Sequence, residues 1–484
     1  MTRSTAAIVG LCLFAAVMIV GALWGTKRTH NAADYLVASR RLNVWLTALS
    51  HLANATPAWL LFAVGGVAFT TGLSAVWVAG ALFLGTAVNW FFVAPRLRFL
   101  SAGQGSVSVM QVLGAEAGER LQPVLVRSAA SILSVAMLLL ISAQLHLLAD
   151  VFSREFAFGT TSIIILISAG VALYVAVGGY WAASLAESVL IIALLAVVLF
   201  LPLPAMIAAD GYEQLRLAFA SLGPEATDVF GAREGVVAIA FAAGAAGVGL
   251  ALPGQPQALS RFIAARDDAT VRAARWLSLA LLAVLLSALL ACGWAAQVLY
   301  SGLANPDLAL LALATRILPP GAATFLSLIV LGAVAVSIMG QLLVVASLVA
   351  ADLKRPNANT SITVAHVTTV LAAIVAACFA LYAPNRLLDQ SLLAFTVLGA
   401  SFGPLVLVRV AGKRIRPGAA LGAMWAGAIL TLLFHWLPDS PGDFLERVLP
   451  FVAALGIALT GGERRNNPDR ADRAQETVHD RVPI

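Results

Sequence analysis

Apolar runs long enough to cross a bilayer follow one another along almost the whole chain. Such runs leave few folds open. In hydrocarbon the backbone must satisfy its own N–H and C=O groups, so a spanning run is read as a helix. Thirteen spans are expected, at about 5–25, 43–69, 73–95, 123–152, 159–180, 185–207, 234–252, 272–300, 322–352, 361–382, 389–410, 417–436 and 445–461. The chain reads as an all-α polytopic membrane protein. Composition agrees, with only 11% charged residues against roughly 25% in soluble domains. The first run lacks a convincing small-residue cleavage site and is read as a retained helix. The three cysteines, Cys12, Cys292 and Cys378, all fall in apolar runs and suggest neither a disulfide framework nor a zinc site. No phosphate-binding loop and no nucleophile–base pair stands out, which argues against an ATP-driven pump and against an enzyme. The net charge of +6 comes from loop residues and is not a nucleic-acid signal.

Basic residues give an orientation. With the N-terminus outside, most of the 30 lysines and arginines fall on the inside, among them Lys27, Arg28, Arg40, Arg41, Arg96, Arg98, Lys354 and Arg355. An odd number of spans preserves this alternation and an even number scrambles it. The C-terminus is then cytoplasmic, and residues 463–484 read as a disordered tail.

Two spans are poor lipid-facing helices. In Ser50–Leu61, His51, Asn54, Thr56 and Pro57 lie together at membrane depth. Pro57 has no N–H, so the Ala53 carbonyl loses its helical partner and must find protein, water or an ion. This stretch is either a kink satisfied by neighbouring helices or a break that lines a solute or cation site. Span 7 carries Gly244, Gly247 and Gly249, with Pro253 and Pro256 at its end. These glycines serve either helix packing or a second break. The two spans are five apart, the offset of an inverted-repeat transporter in which the first helix of each repeat is broken.

Several motifs resemble those of the solute:sodium symporter family, most closely its sodium/proline symporter branch. They are Ala33–Leu42, Ser50–Leu61, Ala87–Arg98, Ala176–Ser188, Gly254–Ala265 and Met339–Leu353. The resemblance implies a LeuT-type five-plus-five inverted repeat. Residues 1–42 would form the outer N-terminus, a peripheral helix and an inner loop. Residues 43–207 would be the first repeat, 208–233 an outer loop, 234–410 the second repeat, and 411–462 two peripheral helices. It implies a sodium site built from the carbonyls of Ala53, Thr56 and Ala333 and from side chains at Val336 and Ser337. Valine supplies no oxygen, and an acidic position of the branch is Ala55 here, so the site is short of ligands. It also implies a solute pocket walled by Trp59, with Ile141, Val248 and Leu252 where the branch has aromatic residues, and with Asn54 and Gln341 as polar contacts.

The function expected is alternating-access symport of a small carboxylate or amino-acid-like solute in the inner membrane. Sodium is the expected coupling ion, and no other cofactor is expected. The alternatives are proton coupling through His51, uncoupled transport, or a transporter-like sensor acting through a partner. His51 is the candidate proton carrier because its unperturbed pKa lies near neutrality. His146 and Asp150, four apart with Gln144 on the same span, read as a gate or a solvated helix end. Glu187 reads as an acid at a helix start, and Arg40 and Arg261 as inside charges.

Overall fold

Helix formation follows from the solvent: a spanning segment whose only hydrogen-bond partners are its own backbone groups coils on itself. The computed structural model describes residues 2–115, 118–156, 158–300, 302–353, 361–382, 387–438 and 440–464. Lys354, Arg355 and the tail 465–484 lie outside the described residues.

α1 (Arg3–Thr26) is one uninterrupted pass. The short α2 (Ala32–Val37) precedes α3 (Val44–Ala55), which is capped by Asn43 accepting from the Leu46 N–H at 2.9 Å. α4 (Ala58–Thr71) and α5 (Val76–Val88) follow, and a π-helical turn at Asn89–Val93 leads into α6 (Ala94–Gln104). Next come α7 (Val109–Gly114), α8 (Gly118–Phe156), α9 (Thr160–Phe200), α10 (Pro202–Ala208), α11 (Gly211–Leu222) and α12 (Pro224–Thr227). The second half holds α13 (Gly235–Leu250), α14 (Pro256–Ala264), α15 (Asp268–Leu299), α16 (Ala309–Ile317), α17 (Pro320–Ser347), α18 (Ile362–Tyr382) and α19 (Leu387–Val410). α20 (Pro417–His435), α21 (Phe444–Arg447) and α22 (Leu449–Thr460) complete it. A two-stranded antiparallel pair, β1 (Lys413–Ile415) with β2 (Gly462–Arg464), ties the start of α20 to the end of α22.

Among the described residues, ten helical stretches are long and apolar enough to cross a membrane. Two of them, Trp59–Gln104 and Thr160–Ala208, run to 46 and 49 residues. At ~1.5 Å per residue each would measure about 70 Å, more than twice the ~30 Å of hydrocarbon, so each turns back: Thr160–Ala208 holds two passes, and Trp59–Gln104 holds the second half of one pass and the whole of the next. The turns fall at Gly72 (φ 58°, ψ −125°) and Gly179 (φ 57°, ψ −150°), conformations that favour glycine. Four residues expected as a connection, 181–184, are therefore helical, because a single glycine reverses the chain. The last expected span, 445–461, is shorter in the structure: Phe444–Arg447 forms its own turn, and Pro450 sits in the first turn of α22.

α17 is the most enclosed of these stretches, and it packs against α9, α1, α8 and α18. The three mid-span glycines of α13 pack and do not break the helix. A Cβ on Gly249 would lie 2.3 Å from the Ala81 carbonyl oxygen, and one on Gly85 would lie 2.3 Å from the Gly249 oxygen. α5 and α13 thus touch backbone to backbone, as small residues allow in membranes.

The turn Pro306–Leu308, ahead of α16, rests on α4. A Cβ on Gly66 would fall 2.8 Å from Asp307 Oδ1. Burial, and secondarily the charge of Asp389, pushes the Asp307 carboxyl up to about 6. The folded state therefore holds this proton more tightly than the unfolded chain does. The unfavourable contribution is absent below about pH 4, grows as pH rises, and is complete above about pH 6. Asp307→Asn is expected to raise the melting temperature in detergent at pH 7.5 and to leave it unchanged near pH 4; equal shifts at both values would contradict this assignment.

Candidate functional site

The first transmembrane helix after α1 is broken in its middle. α3 ends at Ala55, Thr56 (φ −115°, ψ 66°) and Pro57 (φ −59°, ψ 160°) leave helical geometry, and α4 restarts at Ala58. Proline provides the stop, since it cannot donate to the Ala53 carbonyl. Thr56 turns back on α3: its N–H and its hydroxyl both donate to the Leu52 carbonyl, at 2.9 and 2.7 Å. Asn54 donates from Nδ2 to the Ser50 carbonyl at 2.8 Å.

The broken helix meets α17 at Gly340. A Cβ there would lie 2.1 Å from Asn54 Oδ1 and 3.0 Å from Arg261 Nη2, so a larger residue would displace the Asn54 amide. Ser337 lies almost one turn back along α17, fully buried with Val336. Arg261, on α14, is also completely buried. Its Nη2 donates to Glu187 Oε1 at 2.7 Å, its Nη1 lies 3.4 Å from the Ser184 hydroxyl, and its guanidinium sits 4.2 Å over the Tyr180 ring. The charge pair thus joins α14 to α9 beside the break, and Gly340 brings α17 against Arg261 and against Asn54 of α3.

A second break follows α13. A 3-10 turn at Leu252–Gly254 and the extended residue Gln255 (φ −93°, ψ 97°) separate α13 from α14. Side-chain amides take up its carbonyls. Asn89 Nδ2 donates to the Leu252 oxygen at 3.1 Å, and Gln255 Nε2 donates to the Ala251 and Phe395 oxygens at 3.0 and 2.9 Å. The Phe395 ring also packs edge-on against Trp59, with centroids 5.1 Å apart. One residue of α19 therefore touches both breaks.

Buried polar atoms without a partner among the described residues gather here. They include Asn54 Oδ1, Trp59 Nε1, Gln144 Oε1, Ser337 Oγ, Gln341 Nε2 and both His51 nitrogens. Each such group costs about 1–3 kcal/mol when nothing bonds it, and a ligand or ion that bonds several relieves that cost. His51 is enclosed between the rings of Trp90 and Phe262, at 4.8 and 4.6 Å. Ile141, Val248 and Leu252 are all buried, on α8, on α13 and at the second break. His146 is held away from this centre, its Nδ1 3.0 Å from the Ala380 oxygen on α18.

The sequence profile of the sodium:solute symporter family matches residues 35–428. The chain belongs to that family. The symporter is thus a multi-pass membrane transporter, not an enzyme. It is similar to the osmoregulated proline transporter OpuE of Bacillus subtilis (strain 168), at 26% identity over 444 residues, covering 88% of each chain. It is also similar to the sodium/proline symporter of Escherichia coli (strain K12), at 27% identity over 454 residues, covering 90% of each. Among solved structures, a Na+-coupled sialic acid symporter in a substrate-bound outward-open state superposes with a TM-score of 0.75. It is 16% identical, with 96% of this chain and 99% of that one covered. The transporter Mhp1 in a closed conformation follows at a TM-score of 0.54. At such identities these likenesses establish the fold, which is LeuT-type.

Sequence reasoning missed several groups that shape the symporter's centre. Phe395 lies in an apolar run with nothing to distinguish it. Gln144 was grouped with His146 and Asp150, yet its partner is Gln341 on α17. Glu187, expected as an acid at a helix start, and Arg261, expected as an inside charge, form one buried pair. The available signal was that both sit within apolar surroundings, where a charge needs a partner.

Arg261→Leu in the symporter leaves the Glu187 charge buried and alone, and is expected to destabilise by about 3–5 kcal/mol. The double variant Arg261→Leu/Glu187→Leu is expected to recover most of that loss. Unfolding measured in detergent for the two singles and the double checks both statements.

Proposed function

We propose that the chain is a sodium-coupled symporter of a small carboxylate or amino-acid-like solute, working by alternating access about the break between α3 and α4. The observation that carries this reading is the gathering of unpartnered buried polar groups on α3, α4, α8 and α17 beside a non-helical peptide. Sodium coupling is supported by the family, by the sodium/proline symporters among the relatives, and by the ligand chemistry of the break. The carbonyls of Ala53, Thr56 and Ala333 and the hydroxyl of Ser337 would ring the ion. Val336 contributes methyl groups where a further oxygen would serve, so sodium binding is weak. For the solute, α4 begins at membrane depth and offers its first N–H groups and positive dipole end to a carboxylate. Trp59 would form one wall, Ile141, Val248 and Leu252 an aliphatic remainder, and Asn54 and Gln341 polar contacts.

The membrane proposed is the bacterial cytoplasmic membrane, with the N-terminus outside, as the distribution of lysine and arginine argues. Residues 43–207 and 234–410 would be the two inverted repeats. Proton coupling through His51 is the rival reading. The Trp90 and Phe262 rings that enclose the imidazole favour a packing role for it.

Trp59→Ala is expected to raise the KM for solute uptake by tenfold or more in a protein that remains inserted. Unchanged uptake kinetics would move the pocket elsewhere. Val336→Thr is near-isosteric and adds a hydroxyl. It is expected to lower the half-saturating sodium concentration several-fold, each tenfold corresponding to about 1.4 kcal/mol. Uptake is measured against sodium at fixed pH and membrane potential. If neither protein responds to sodium, and uptake follows an imposed pH gradient that His51→Gln abolishes, the coupling ion is the proton.

A further inference from the structure

Two glutamines bridge α8 and α17 at the centre of the molecule. Gln144 Nε2 donates to the Leu140 carbonyl at 3.0 Å and to Gln341 Oε1 at 2.9 Å. The first bond fixes which end of the Gln144 amide is nitrogen, because a carbonyl only accepts, and the second bond then orients Gln341. One acceptor and one donor group are left over, Gln144 Oε1 and Gln341 Nε2. Both residues are fully buried, and neither atom has a partner among the described residues. Gln341 follows Gly340, where α17 meets Asn54 of the broken helix, and stands one turn from Ser337. Gln144 stands nearly one turn from Ile141 on α8. Arg261 and Glu187, the charge pair beside the break, neutralise each other through Nη2 and Oε1, while Arg261 Nε and Glu187 Oε2 stay buried without a partner among the described residues. A charged group at the glutamines would have no counter-charge from that pair, whereas a neutral group with adjacent N–H and C=O would satisfy both leftover atoms.

We propose that Gln144 and Gln341 form a subsite that reads a neutral amide edge on the transported solute: a carboxamide, a lactam or a ureido group. This rests on the reading of the break as the solute site. It narrows the solute class to small carboxylates or amino acids that carry an uncharged N–H/C=O pair in addition. The pair acts as a specificity determinant: the solute accepts from Gln341 Nε2 and donates to Gln144 Oε1, while the bond between the two glutamines stays in place.

The test uses the purified full-length chain and matched probes, 5-oxoproline against cyclopentanecarboxylate and L-glutamine against L-norvaline. Affinities are read by thermal shift in sodium. In the wild type the amide-bearing member of each pair is expected to bind at least tenfold more tightly. In Gln144→Leu and in Gln341→Glu that ratio is expected to fall towards one. Gln144→Met and Gln341→Met serve as closer replacements if either variant folds poorly. Equal affinity within each wild-type pair, or a ratio that survives the substitutions, overturns the proposal. The underlying reading has its own control in 2-pyrrolidinone and butyramide, which carry the amide and no carboxylate. If these bind the wild type and lose affinity in the glutamine variants while carboxylates do not bind, the subsite stands and the carboxylate requirement falls. If no probe responds to the glutamine variants or to Trp59→Ala, the break is not the solute site and both readings fail.

Discussion

A helix in hydrocarbon has no solvent to complete its hydrogen bonds, and Pro57 removes one of them between α3 and α4. Everything around that point answers to this. Thr56 folds its hydroxyl and N–H back onto one carbonyl, Asn54 holds another, and α17 brings Gly340 against the Asn54 amide. The second break is treated in the same way by Asn89 and Gln255. Side-chain amides thus bond main-chain carbonyls beside both breaks.

The charge pair of Arg261 and Glu187 has a different place in this economy. A fully buried ion pair is weak support for stability, because desolvation offsets much of the attraction. Its value is positional. It fixes α14 against α9, and the guanidinium reaches the Gly340 face of α17. The short helix after the second break is thereby held beside the first.

The helical membrane architecture was legible because its signal is long and redundant: apolar runs that recur along the whole chain. The first break was legible because proline acts through local covalent structure, visible at Pro57 without knowing any neighbour. The second break was displaced. Gly244, Gly247 and Gly249 drew attention to mid-helix, whereas they serve contact with α5 and with Gly442 and Arg447, and the chain departs from the helix at Leu252–Gln255. Glycine has two uses in a membrane helix, and only the neighbour decides between them. That a buried charge needs a partner is visible in the sequence, but which residue pairs with which across the bundle is not. Gln144 and Gln341 are 197 residues apart, and Arg261 and Glu187 are 74 apart. Nothing local announces which polar residue will face which.

Phe395 has its ring against Trp59 beside one break and its carbonyl on Gln255 at the other. A displacement of either break is felt by the same residue of α19. Any coupling that this contact carries between the breaks is reciprocal. Whatever factor a ligand at the first break imposed on the second, a ligand at the second would return to the first. Coupling through Phe395 would make neither half simply the driver and neither simply the driven.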